Sequence, residues 1–203
     1  MPRAGLTPER VEELGCAVAD DVGWELLTLA AVAQRAGVRL PSLYKHVASV
    51  EDLRERIAAR TVTELRAAVA EAVAGASGRA ALRAVAQAYR AFALAHPGRY
   101  PAVVRAPGPD DVVAGTAAGE LLGTIDDALA AYGLEGDDRV DGVRIVRSAL
   151  HGFVSLETRG GFRMPRDVER TFARMVDALD AALRAVGGVG GDPGRAARVG
   201  SHP

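Results

Sequence analysis

The sequence predicts an all-α fold of about nine helices. Ala, Leu, Arg and Glu, which favour helices, are abundant along the chain. Alternating runs of Val, Ile and Thr, which would indicate strands, do not occur. Apolar residues instead recur at helical spacing, and Gly or Pro follows most of these stretches. We therefore interpret the segments between the breaks as helices.

The composition of the 203 residues is that of an ordinary globular protein with balanced charge. Lys and Arg number 25 and Asp and Glu 26, which excludes a chain that binds anions through bulk positive charge. No apolar run has the length of a membrane span, and the N-terminus turns acidic where a signal peptide would be apolar. Together with a single cysteine, these features predict a cytoplasmic protein, and we expect neither a metal nor a cofactor.

Local signals define four helices in the N-terminal part of the chain. Thr7 is placed to cap the first helix, and Thr28 to cap a second helix that stops at Gly37. A third, short helix is predicted for 40–46. A start that resembles a capping box opens a long fourth helix at about 49–74.

A second set of helices follows a break rich in Gly and Ser. Their predicted bounds are about 79–95, 99–105, 111–132, 137–158 and 165–186. The segment 187–203 is rich in glycine and has no apolar periodicity, so we expect it to be disordered.

The segment 28–53 carries the strongest functional signal. Two short helices joined by a tight Ala-Gly-Val turn form a helix-turn-helix, because small residues at the turn let the helices cross closely. Between residues 34 and 49 the charged residues are Arg35, Arg39 and Lys45, without any Asp or Glu, so we expect this face to be locally +3. Such a face is suited to the phosphates of a DNA duplex.

The outward side chains of this segment are donors or small groups that suit a duplex. Tyr44 and His46 are placed to donate to phosphates, whereas Arg39, Ser42 and Lys45 are placed to approach base edges in the major groove. The predicted DNA-binding residues are Thr28, Arg39, Pro41, Ser42, Tyr44, Lys45 and His46.

The same stretch resembles the DNA-binding region of the TetR family of bacterial one-component repressors. The family pattern is a Thr-opened helix, an Ala-Gly-Val turn, then Leu-Tyr-x-His-Phe and Ser-Lys-Glu-x-Leu. Val47 replaces the usual Phe, and Val50 replaces the usual Lys, which removes one phosphate contact of the family type. The matching positions are Thr28, Val32, Ala33, Ala36, Gly37, Val38, Leu43, Tyr44, His46, Ser49, Glu51 and Leu53.

The rest of the chain is similar to a subgroup of this family with His-Gly in the penultimate helix, here His151-Gly152. The resemblance implies a DNA-binding domain at 1–50 with 49–74 as connector, and an effector-binding and dimerisation domain at 75–186. It also implies a homodimer that binds a palindromic double-stranded DNA operator. A small molecule would release this repressor from its operator, and no membrane partner is implied.

Apolar stripes and neighbouring polar groups suggest residues for the two C-terminal roles, with alternatives left open. Each aromatic, and His151 itself, also fits an ordinary core, and both helix stripes also fit burial inside one protomer. The ligand-binding candidates are Tyr89, Phe92, Leu122, Ile125, His151 and Glu157. The dimer-interface candidates are Val143, Val146, Leu150, Phe172, Met175, Leu179 and Leu183.

Two other classes of function are alternatives to a transcriptional regulator. One is a helical small-molecule binding or interaction protein that keeps the helix-turn-helix shape without using it. The other is an enzyme, which we do not expect, because the sequence has no nucleophile-and-base order, phosphate-binding glycine loop or metal-binding spacing. Cys16 fits a buried, small apolar residue better than a thiol sensor.

Overall fold

The computed structural model describes residues 6–104 and 112–188, with side chains omitted at 112–114. Within these ranges every regular element is a helix, which confirms the all-α prediction. The predicted disordered tail at 189–203 and the start of the predicted helix at 111 lie outside the described residues. The α-helices are α1 Pro8–Val22, α2 Leu29–Ala36, α3 Val50–Val73, α4 Gly78–Ala95, α5 Val112–Leu129, α6 Gly136–Thr158 and α7 Val168–Val186. Short 3-10 helices span Trp24–Leu26, Leu40–Lys45, Tyr100–Val104 and Ala130–Tyr132.

The chain divides into two compact units. Within the described residues, the first unit is formed by Met1–Ala72 with Gln87–Thr124, and the second by Val73–Ala86 with Ile125–Pro203. The first unit therefore contains the whole predicted helix-turn-helix, and the second contains α6 and α7.

The predicted helix starts in the first unit are confirmed at the level of single hydrogen bonds. The Thr7 hydroxyl accepts from the Arg10 amide at 3.2 Å, and the Thr28 hydroxyl accepts from the Ala31 amide at 3.2 Å. Gly37 ends α2 in the left-handed conformation, with φ of 67°, which a side chain would disfavour. The tight turn of the helix-turn-helix is therefore fixed by this glycine.

Other elements differ from the sequence prediction in kind or in bounds. The third helix is a 3-10 helix, because it has only six residues and its N-cap residue, Arg39, makes no capping hydrogen bond with its side chain. The last helix begins at Val168, not 165, because the Asp167 carboxylate caps it by accepting from the Glu169 amide at 2.9 Å. The predicted helix that ends at 132 closes with a 3-10 turn at Ala130–Tyr132.

The core of the first unit joins α1, α2, the 3-10 helix Leu40–Lys45 and α3. Its residues are fully or almost fully buried, and they include Cys16, as predicted. They are Val11, Cys16, Val18, Leu27, Leu29, Val32, Ala33, Leu43, Val47, Leu53 and Ile57. Gly98 lies so close to α1 that an added Cβ would collide with the Ala19 carbonyl oxygen, so no larger residue fits there.

In the second unit α6 packs against α7, and aromatic rings contact each other between the two helices. The Phe153 ring lies 5.1 Å from the Phe172 ring and 4.8 Å from the Phe162 ring. Six of the seven candidates for the dimer interface are buried within one protomer; they are Val143, Val146, Leu150, Phe172, Leu179 and Leu183. Met175 is half-buried. A side chain that is already covered in one protomer has little further area to bury against a second copy, so the predicted dimer interface at these residues stays a prediction.

No helix in the described ranges has the length and apolar character required to cross a membrane.

Candidate nucleic-acid interface

The 3-10 helix Leu40–Lys45, with Arg39 before it and His46 after it, is called the recognition segment below. Leu43 anchors it, because this side chain is 0% exposed and lies in the core beneath α1 and α2. Val47 anchors the following turn in the same way. Leu43 and Val47 therefore face the core of the first unit.

The structure exposes four of the predicted DNA-binding residues on this segment. Arg39, Pro41, Tyr44 and Lys45 are exposed, and the Tyr44 side chain keeps 56% of its surface in solvent. Within the described part of the chain, neither Arg39 nor Lys45 has an ion pair. Both cations are thus available to a partner, and a phosphate or a guanine edge suits each of them.

Ser42 and His46 are half-buried, so the structure presents them less fully than the other residues of the segment. The Ser42 amide donates to the Arg39 carbonyl at 2.9 Å, and the His46 amide donates to the Leu43 carbonyl at 2.8 Å. These bonds hold the backbone of the segment and leave both side chains at its edge.

Thr28 and the start of α3 extend this surface beyond the recognition segment. Thr28 is exposed at the N-terminus of α2, where free amide groups and the helix dipole favour a phosphate. An open depression joins Thr28 to the recognition segment and to the start of α3; it is lined by Thr28, Leu29, Tyr44, Ala48, Ser49, Val50 and Glu51. The exposed Glu51 places one carboxylate at this edge.

The local charge of +3 expected from the sequence is too high. Arg35 forms an ion pair with Asp21, which lies 14 positions earlier, near the end of α1. The acid that neutralises Arg35 is remote in the sequence, so a count along the segment misses it. Among the residues that the structure describes, Arg39 and Lys45 remain the cations of this face without an ion pair.

Three side chains on the first two turns of α3 bind the main chain in or just before the helix-turn-helix, a role that was not predicted from the sequence. Arg54 donates through Nη2 to the carbonyls of Glu25 and Leu27, each at 3.3 Å. Asp52 and Arg56 bind the main chain at the end of the recognition segment. The capping-box pattern at Ser49 pointed to Asp52 but not to the two arginines.

A group of ion-paired side chains, called the ionic cluster below, consists of Asp20, Glu64, His96 and Arg99. Arg99 is at its centre, with 7% of its side chain exposed. Its Nη2 lies 2.7 Å from Glu64 Oε2, its Nε lies 3.1 Å from Asp20 Oδ2, and its main-chain amide donates to Asp20 Oδ1 at 3.1 Å. His96 Nδ1 lies 3.2 Å from Asp20 Oδ2. The cluster therefore ties α1 and α3 to the segment that follows α4.

The predicted ligand-binding residues are divided between the two compact units. Tyr89, Phe92 and Leu122 belong to the first unit, and Tyr89 and Phe92 are buried there. The Tyr100 hydroxyl donates to the Tyr89 hydroxyl at 3.2 Å, and the Phe92 ring lies 4.8 Å from the His96 ring. Two ligand candidates thus contact residues in or next to the ionic cluster.

The other ligand candidates, Ile125, His151 and Glu157, belong to the second unit. Ile125 is fully buried, and His151 and Glu157 are half-buried. The Ser155 hydroxyl lies 3.2 Å from His151 Nε2. Burial lowers the pKa of His151, and the nearby charges of Arg147 and Arg159 lower it further, so the imidazole is neutral near pH 7.

Comparisons with known proteins identify the family to which these features belong. The chain is 36% identical over 181 residues to the HTH-type transcriptional regulator Rv0681 of Mycobacterium tuberculosis, an alignment that covers 89% of this chain and 83% of that protein. Residues 82–179 match the family described as "Tetracyclin repressor-like, C-terminal domain". The chain belongs to the TetR family of transcriptional regulators. The predicted subgroup with His-Gly in the penultimate helix stays a prediction.

Solved structures share the fold of this TetR-family chain at lower identity. A protein of unknown function from Rhodococcus sp. RHA1 superimposes with a TM-score of 0.75 at 23% identity, covering 91% of this chain and 99% of that one. A variant of TetR from Acinetobacter baumannii AYE, in complex with minocycline, has a TM-score of 0.66 at 19% identity and covers 90% and 98% of the two chains. These likenesses support the assignment of the fold.

Proposed function

We propose that this TetR-family regulator is a cytoplasmic repressor that binds a palindromic operator as a homodimer and leaves it when a small molecule binds. The observation that carries the proposal is the recognition segment, where Leu43 is fully buried while Arg39, Tyr44 and Lys45 point outward. Because Leu43 is buried, it fixes the distance of the segment from the core and its rotation about its own axis. The outward donors are therefore held on one surface. This is the arrangement that reading a major groove requires.

The roles of the individual side chains follow from their exposure and chemistry. Arg39 and Lys45 carry unpaired positive charge and are proposed to reach base edges, with Ser42 beside them as a weaker contact. Tyr44 and Thr28 are proposed to bind phosphates on either side of the groove. His46, which is half-buried, is proposed as a phosphate contact at the margin of the surface.

The homodimer is proposed to use the outward faces of α6 and α7 instead of their shared seam. On α6 the exposed residues include Ile145, Gly152 and Leu156, and an added Cβ at Gly152 would meet nothing within 4 Å in the protomer. On α7 the outward face carries small residues, among them Ala178 and Ala182. Two such helix pairs from two copies are suited to an isologous four-helix contact.

This dimer surface predicts that a charge at Ile145 separates the protomers. Ile145→Arg should leave the far-ultraviolet circular dichroism spectrum unchanged, because Ile145 is exposed in the protomer, and should give a monomer in sedimentation velocity. The matched control is Arg144→Ala, which changes an exposed side chain on the neighbouring position of the same helix. If Ile145→Arg sediments as the wild-type dimer does, the interface lies elsewhere.

The proposed effector acts on the residues that follow α4. In the Acinetobacter baumannii protein this fold holds minocycline. In this chain Phe92 is 4.8 Å from the His96 ring, and the Arg99 guanidinium carbon lies 5.8 Å from the centre of the Phe92 ring. A ligand that displaced Phe92 would therefore act on residues that bind Asp20 of α1, which belongs to the DNA-binding helices. Differential binding of the ligand to two such arrangements would change the affinity for DNA.

The test of the proposed function is binding to a duplex that covers the promoter region next to the chain's own gene. Fluorescence anisotropy should show specific binding that weakens steeply between about 50 and 200 mM salt, because phosphate contacts release counterions. A small-molecule binding protein that does not use its helix-turn-helix would show no such binding at any salt concentration. That result would overturn the proposal.

A further inference from the structure

We infer that Asp52 and Arg56 are positioning residues for DNA binding, which hold the end of the recognition segment in place without touching the duplex. The inference rests on the proposed function, because it concerns the same surface. Arg56 Nη1 donates to the main-chain carbonyl of His46 at 3.2 Å. Asp52 Oδ2 accepts from the main-chain amide of Ala48 at 2.7 Å. The two side chains thus bind both polar groups of the backbone where the segment ends.

Asp52 and Arg56 also bind each other, so that the two side chains act as one pair. Arg56 Nε donates to Asp52 Oδ1 at 2.8 Å, and Arg56 Nη2 donates to Asp52 Oδ2 at 3.0 Å. A fork of two parallel bonds fixes the plane of the guanidinium, so its remaining nitrogen is aimed at His46. The Asp52 amide donates in turn to the Ser49 hydroxyl at 3.1 Å, which ties the pair to the first turn of α3.

The electrostatics of Asp52 agree with this geometry. Partial burial raises the pKa of this carboxyl, but the hydrogen bonds from the Ala48 amide and from Arg56 outweigh burial and hold the pKa below its ordinary value. The carboxylate is consequently charged at neutral pH, as the fork with Arg56 requires.

The recognition segment is short, and the bonds from Asp52 and Arg56 add to the few contacts that hold its C-terminal end. A 3-10 helix of six residues is too short to be stable alone, and its N-cap makes no hydrogen bond through a side chain. Leu43 and Val47 anchor the segment and the turn after it through burial, and Tyr44 and Lys45 lie between these two anchors. The bonds to His46 and Ala48 hold the backbone on either side of Val47 and so contribute to the direction in which Tyr44 and Lys45 point.

Arg60 provides a matched control on the same helix. Arg56 and Arg60 have side chains 36% and 35% exposed, and each is paired within α3 to an acid four positions away at 2.8 Å. Each also lies 4.0 Å from a glutamate on α1, Glu12 for Arg56 and Glu13 for Arg60. Among the described residues, the partners of Arg60 lie on α1 and α3, and only Arg56 reaches the recognition segment. A difference between the two variants therefore measures the contacts of the Asp52–Arg56 pair with the backbone at the end of the recognition segment.

The experiment compares Arg56→Ala, Arg56→Lys and Arg60→Ala with the wild type in the full-length protein. Anisotropy would measure binding to the promoter duplex and to a scrambled duplex of the same length. Arg56→Ala should weaken promoter binding about tenfold, since it removes a charge-assisted bond to the backbone of the segment. Arg60→Ala should change promoter binding less than about twofold, because it removes the same charge from the exposed surface of the helix without touching the segment.

Arg56→Lys separates positioning from direct attraction to DNA. Lysine keeps the charge but lacks the planar fork, so a positioning role predicts the same loss as Arg56→Ala. Retention of wild-type affinity by Arg56→Lys would instead show a direct charge contact and would overturn the inference. Equal losses in Arg56→Ala and Arg60→Ala would also overturn it, as would wild-type affinity in Arg56→Ala.

Two further readouts distinguish misplacement of the segment from a general loss of folding. The amide signals of residues 44–48 in the nuclear magnetic resonance spectrum of the free protein should shift in Arg56→Ala and stay in place in Arg60→Ala. The double variant Asp52→Ala with Arg56→Ala should lose no more affinity than the more strongly impaired single variant, because both remove one unit. Strictly additive losses would contradict the inference.

Failure of the inference and failure of the proposed function give different results. Wild-type protein that binds promoter and scrambled duplexes equally would overturn both. Specific wild-type binding that survives every substitution at Asp52 and Arg56 would overturn the inference alone.

Discussion

The recognition segment and the ionic cluster belong to the same compact unit, yet they use charged side chains in opposite ways. On the recognition segment, Arg39 and Lys45 are exposed and lack ion pairs within the described residues. In the ionic cluster, Arg99 is almost fully buried and lies between Asp20 and Glu64. The difference shows that in an arginine-rich chain the count of cations says little, whereas their partners separate cations available to bind DNA from those that hold the fold.

The largest effect on stability is expected from a substitution in the buried ionic cluster. Arg99→Ala should lower the free energy of unfolding by about 3 kcal/mol, because it leaves the Asp20 and Glu64 carboxylates without their shared partner. Urea unfolding followed by circular dichroism measures this change. Arg60→Ala, which removes a half-exposed pair to the same Glu64, should cost less than about 1 kcal/mol. Equal costs for the two variants would show that the ionic cluster contributes no more than a surface pair.

Substitutions on the recognition segment should have a smaller effect on stability but a clear effect on DNA binding. Lys45→Ala should weaken promoter binding about tenfold and relax the sequence preference at one position of the operator, because Lys45 is proposed to contact a base edge. Tyr44→Ala should weaken specific and scrambled duplexes to a similar degree, because a phosphate contact carries no sequence information. Both variants should keep the free energy of unfolding within about 0.5 kcal/mol of the wild type. A large loss of stability in either would contradict the exposure that the structure shows.

The smallest expected effect is the change in stability with pH that the ionic cluster causes. Burial raises the pKa of Glu64, but hydrogen bonds from Arg60 and Arg99 outweigh it and hold this pKa below the ordinary value of 4.5. A carboxyl with a lowered pKa in the folded state stabilises the protein above its unfolded pKa, and this contribution is lost as the pH falls through the folded value. Stability should therefore decline below about pH 4.5, and Glu64→Gln should flatten this decline in urea titrations at pH 7 and pH 4. An unchanged slope would assign the acid sensitivity to other carboxylates.

The local features of the fold could be predicted because their causes are neighbours in the sequence. Thr7 and Thr28 cap helices through amides three residues away, and Gly37 ends α2 through its own backbone angle. The alternation of buried and exposed residues on the recognition segment is local too. Tyr44 was therefore assigned to the outward side correctly.

Features that depend on distant partners could not be predicted. Arg99 and Asp20 are 79 positions apart, and the pairing of Arg35 with Asp21 crosses a turn, so neither is visible as a pattern. The apolar stripes on α6 and α7 were identified, but periodicity cannot tell whether a stripe faces the same chain or a second copy. The exposed faces proposed for the dimer carry many small residues, and Gly152 and Ala178 give almost no hydrophobic signal.

The buried position of Cys16 makes its thiol a natural probe of how often the first unit opens. The chain has one cysteine, which is buried and whose pKa burial raises, so its thiol is protected from alkylating reagents while the first unit stays closed. The Arg99 guanidinium is close enough to oppose this shift, so the thiol lies beside the ionic cluster. The rate at which an alkylating reagent labels the native protein therefore measures how often α1 opens at this point. The same measurement with operator or effector bound would show whether either one keeps the unit closed, and no introduced probe is needed.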